Sequence, residues 1–69
     1  MCRSIKTLRD LEIPASHDDY EAAALQFVRK VSGYRKPSRR NAEAFDAAVA
    51  EIAEATHRLL HALEAARAA

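Results

Sequence analysis

Apolar side chains recur at helical spacing in two separate stretches of the chain. Tyr20, Ala24, Phe27, Val28 and Val31 make a 3.6-residue stripe with Leu25 to one side. After an interruption, Phe45, Val49, Ile52, Thr56, Leu59 and Leu63 make a second, with Ala48, Ala55 and Ala62 beside it. The second stripe repeats every seven residues, like a coiled-coil seam. Ahead of both lies a lead-in, residues 1–15, in which Ile5, Leu8 and Leu11 recur every three residues. That spacing suits a short helical turn or an extended strip laid over a core.

Local signals predict where the helices start and stop. Pro14 and Ser16 set up a helix beginning at His17: Ser16 is a natural N-cap, Asp18 and Asp19 suit the positive end of the helix dipole, and Asp19 completes a capping-box-like arrangement. Gly33 ends this helix at about residue 32 as a left-handed C-cap, with Arg29 and Lys30 at its negative end. A loop over 33–38 follows, where Pro37 disfavours helical geometry at Lys36, and Ser38 or Asn41 caps a second helix over about 39–66. A helix of about 25 residues is about 38 Å long, more than the first helix covers. Leu59, Leu60 and Leu63 near its end therefore call for the lead-in or a second copy of the chain, and are the expected subunit interface.

Composition points the same way. One Gly, two Pro, abundant Ala and only 6% aromatic residues favour closely packed helices over any sheet. The expected fold is all-α: a helical hairpin with a short N-terminal element packed across it, forming one domain over 1–69 and pairing into a homodimeric bundle. A chain of 69 residues buries only about 60% of its unfolded surface, so a partner copy would add needed stability. No repeat of 20 to 50 residues fits the chain. The single Cys excludes an intramolecular disulfide, and no apolar run reaches the roughly 18 residues of a membrane span. Met1-Cys2-Arg3-Ser4-Ile5-Lys6 starts basic without a following apolar region, so a reducing cytoplasm is the expected compartment.

The net charge of +1 conceals a strong asymmetry. Between Ala22 and Ala42 stand six Lys or Arg and no acid, leaving five basic residues against ten acidic ones elsewhere. Arg29, Lys30, Arg35, Lys36, Arg39 and Arg40 can contact phosphates, Ser38 adds a hydroxyl, and Tyr34 can stack on a base. The N–H groups opening the second helix add to an anion site. The plainer account is a solvated loop partly neutralised by Glu21, Glu43 and Asp46. The glycine spacing of a P-loop or dinucleotide fold is absent, which argues against nucleotide hydrolysis.

Other chemistry is sparse. His57 and His61 are one helical turn apart, a spacing used by metal ligands, but the sequence reads His57-Arg58-Leu59-Leu60-His61, without the acid of a protease motif and with Arg58 opposing a cation. Two surface histidines are the expected outcome. Cys2 becomes a terminal amine and thiol if Met1 is removed, and Arg3 and Lys6 favour its thiolate, yet no His-Asp or His-Asn partner accompanies it. A small apolar side chain under the hairpin is its bland alternative. Cys2, His57 and His61 are thus weak candidates, and neither a metal, a cofactor nor catalysis is expected.

The start Met1-Cys2-Arg3-Ser4-Ile5-Lys6-Thr7-Leu8, then Pro14-Ala15, the stretch Ala22 to Gly33, Lys36-Pro37-Ser38, and Asn41 with Ala44-Phe45 resemble a small bacterial family of unknown function, numbered 2277. The resemblance covers nearly the whole chain. It implies a short, stand-alone cytoplasmic protein without established biochemistry, and supports the single-domain reading. The chain departs from the family pattern at Ile13-Pro14, where a second Pro is expected, and in placing Arg39-Arg40 within the loop motif.

Two function classes follow. In the first, the protein is a small non-enzymatic module that binds nucleic acid or another anionic ligand through the basic inter-helix loop. In the second, it is a protein-interaction or scaffold module that uses the apolar face of the second helix, its basic loop steering an acidic protein partner.

Overall fold

The computed structural model describes residues 5–9 and 14–68, with side chains through Glu64. Two helices, α1 over His17–Ser32 and α2 over Ala42–Ala68, form an antiparallel hairpin. No strand occurs among the described residues. The fold is the expected all-α hairpin.

Both ends of α1 are set by local chemistry. The Ser16 side chain accepts from the Asp19 N–H at 3.4 Å, while the Asp19 carboxylate accepts from the Ser16 N–H at 2.8 Å, a complete capping box. Gly33 stands at φ 77°, ψ −1°, and its N–H donates to the Arg29 carbonyl, closing the helix in the left-handed conformation that a side chain would strain.

Of the two residues expected to cap α2, Asn41 and not Ser38 directly precedes the helix. Arg39, Arg40 and Asn41 form a turn in which the Asn41 N–H donates to the Ser38 carbonyl, and regular helix begins only at Ala42. The Asn41 carbonyl then accepts from the Phe45 N–H. Two adjacent guanidinium groups gain nothing from the positive end of a helix dipole, whereas a turn leaves both in water.

The core is small. Tyr20, Ala24 and Ala53 form its centre, with Leu8, Ala15, Val49, Ile52 and Leu60 packed around them. Val28 and Phe45 are also buried. Ala24, only 1% exposed, allows the two helices to approach closely. Tyr20 lies beside His57, so the first turn of α1 meets α2 well before its end. At 1.5 Å per residue α1 is about 24 Å long and α2 about 40 Å, and the last turns of α2 therefore run past α1.

This geometry corrects the expected seam. On a straight α-helix a seven-residue repeat drifts by about 20° each time. By the third turn after Phe45 the covered side has moved to Ala53, and it continues through Thr56 and Leu60 while Leu59 turns outward. Leu63 shares the azimuth of Phe45 but lies beyond α1. On α1, Phe27 and Val31 stand largely outside the core; Val31, in the last turn, is 70% exposed.

The lead-in contributes Leu8, which packs on the core, and Lys6, whose Nζ lies 3.7 Å from Asp19 Oδ1. Its described parts, residues 5–9 and 14–15, are irregular rather than helical. Leu11 lies outside the described residues.

Candidate anion-binding loop

The connection between the helices is built from its own hydrogen bonds more than from buried surface. The Ser32 side chain accepts from the Tyr34 N–H at 3.1 Å, and the Arg29 Nε donates to the Arg35 carbonyl at 2.9 Å. With the Gly33 cap and the turn from Ser38 to Asn41, these contacts hold the loop at both ends. Pro37 is half-buried, while every other residue from Lys30 to Asn41 is exposed.

On this frame stand the predicted cations. Lys30, Arg35, Lys36, Arg39 and Arg40 form no ion pair among the described residues. Glu21, expected to help neutralise the loop, pairs with His17 at 3.4 Å instead, and neither Glu43 nor Asp46 reaches a loop cation. Arg29 is set apart from the rest. Half-buried, it donates from Nε to the loop's main chain and so braces the loop from the last turn of α1.

Tyr34, the second residue after α1, is 48% exposed and stacks on no other aromatic ring among the described residues. Its neighbours Arg35 and Lys36 lie on either side of the point where Arg29 fastens the backbone. The Ser38 hydroxyl makes no hydrogen bond among the described residues, its carbonyl being the turn acceptor. The contribution of Ser32 is absent from the predicted site. Its signal is local, since a Ser hydroxyl commonly receives the N–H two residues on. The Arg29 contact spans six positions and has no comparable signature.

The His57 and His61 rings meet edge to face with centroids 4.4 Å apart, and His57 stacks on Tyr20 at 4.9 Å. Arg58 turns back to Glu54 at 3.1 Å, so its charge is engaged away from the pair. No group of three or more metal-ligating side chains forms among the described residues. Cys2 lies outside them. Of the predicted interface residues, Leu59 is 56% and Leu63 42% exposed, whereas Leu60 is half-buried against the core. No described helix is long and apolar enough to cross a membrane.

A family model described as an uncharacterized conserved protein (DUF2277) matches residues 1–69. No curated protein and no solved structure matches the chain. Because the family match runs over every residue, from the Met-Cys-Arg start through the basic loop to the end of α2, the chain belongs to the DUF2277 family.

Proposed function

We propose that this protein is a small non-enzymatic module that grips the phosphates of a nucleic acid through the loop between its helices. The observation that carries the reading is a set of five exposed cations without an ion pair among the described residues, Lys30 in the last turn of α1 and Arg35, Lys36, Arg39 and Arg40 on a loop whose backbone is already held in place. Cations without carboxylate partners lose no ion pair when they meet phosphate, and a prearranged loop loses little conformational entropy on binding. All ten acidic residues lie outside the loop, so the net charge of +1 does not describe the surface a ligand meets. Contacts of this kind are to the backbone and largely independent of sequence.

The test is a titration of labelled single- and double-stranded DNA and RNA, followed by fluorescence anisotropy at two salt concentrations. If all five cations contact phosphate, log K should fall with log salt at a slope of about −4.5 on duplex DNA. Raising salt from about 50 to about 200 mM then weakens binding roughly 500-fold. Absence of binding at low salt would overturn the reading.

Exposed Leu59 and Leu63 favour a second reading, a protein-interaction module or homodimer using the far end of α2. Light scattering on the intact chain tests it. A dimer that dissociates in Leu63→Asp while helicity persists supports it, and a monomer at every concentration removes the homodimer.

A further inference from the structure

We propose that the loop selects single-stranded over duplex nucleic acid, by stacking an unpaired base on the ring of Tyr34 while its cations hold the flanking phosphates. This inference rests on the phosphate-binding reading and adds the class of strand. Three observations carry it. Tyr34 is half exposed, near the start of the basic loop, and has no ring partner among the described residues. Its backbone is fastened on both sides, by Ser32 Oγ on its own N–H and by Arg29 Nε on the carbonyl of Arg35. The cations Arg35 and Lys36 follow it directly, so a base on the ring places its own backbone within reach of charge.

An exposed tyrosine is ordinarily a modest liability, because an aromatic surface in water gains nothing. Fixing the main chain around one by three side-chain and cap contacts, on a loop that buries little, makes sense if the ring has an occupant. In a duplex the base faces are covered by their neighbours, and a side chain meets only edges and phosphates. In a single strand the faces are open, and stacking is tolerant of base identity. The ring therefore distinguishes strands without reading sequence.

The experiment compares the intact chain with Tyr34→Ala, Tyr34→Phe and the double variant Arg39→Ala, Arg40→Ala. The probes are a labelled single-stranded oligonucleotide, the duplex of the same length, and inorganic polyphosphate, at one low salt concentration. Wild type should bind the single strand about tenfold more tightly than the duplex. Tyr34→Ala should lose about tenfold on the single strand, with duplex and polyphosphate affinities unchanged, while Tyr34→Phe should retain the preference. The double Arg variant should weaken on all three probes. The chain has two Tyr and no Trp, so strand binding should also quench tyrosine fluorescence, an effect expected to vanish in Tyr34→Phe. Circular dichroism checks that each variant keeps its helices.

Equal losses on single strand and duplex in Tyr34→Ala, or no loss on either, would overturn the stacking proposal while leaving phosphate binding intact. Failure of wild type to bind any of the three probes would overturn both.

Discussion

The Nε of Arg29 donates a hydrogen bond to the main-chain carbonyl of Arg35, 2.9 Å away and six residues later. A residue in the last turn of α1 thereby fixes the shape of the loop that follows it. Arg29→Lys keeps the charge but loses the guanidinium N–H. We expect nucleic-acid affinity to fall about five-fold, corresponding to roughly 1 kcal/mol for one such hydrogen bond, with no change in the salt slope. Anisotropy titrations at several salt concentrations separate the two quantities; an affinity equal to wild type would show that this hydrogen bond does not shape the site.

Arg39 and Arg40, in the turn before α2, contribute charge without supporting the fold. Replacing both by Ala should lower the magnitude of the salt slope by about two on duplex DNA. Thermal unfolding should remain close to wild type, because exposed substitutions of this kind stay within about 0.5 kcal/mol.

The two phenylalanines should respond very differently to truncation. Phe45 is 8% exposed and Phe27 46%. Phe45→Ala should cost about 3–5 kcal/mol and leave so small a domain barely folded. Phe27→Ala should cost about 1 kcal/mol or less. Urea unfolding followed by circular dichroism measures both, and similar losses would mean that Phe27 is covered in solution, as a dimer would cover it.

The Asp19 carboxyl is held below its ordinary value of 3.8, chiefly by the Ser16 backbone N–H, with further help from the Ser16 hydroxyl and Lys6 against a smaller opposing effect of desolvation. A carboxyl depressed in the folded state stabilises it above the unfolded-state value, and that contribution is lost as pH falls through the folded value. The N-terminus of α1 should therefore loosen in acid below about pH 4. In Asp19→Asn the acid limb of a stability-against-pH curve should be shallower, and an unaltered limb would show that other carboxylates set it.

Much of this molecule was legible in local chemistry. Ser16 with Asp19, and Gly33 after Arg29 and Lys30, predict the ends of α1 because caps are made by residues within a few positions of one another. The cluster of loop cations is likewise a property of adjacent residues. The side of α2 that meets the core was harder to read. A seven-residue repeat and a straight helix agree over one turn or two and then diverge, which is how Ala53 and Leu60 came inside while Leu59 did not.

Two helices, both caps of α1, a basic connection and the absence of any long apolar run could be read from the sequence, since each depends on neighbours along the chain. That Tyr20 meets His57, that α2 outruns α1 and leaves Leu63 exposed, and that Arg29 braces the loop through its Nε came from the closed hairpin alone. Those outcomes depend on how far two helices of unequal length overlap and where a returning chain places a carbonyl. Such distances arise only when the hairpin closes.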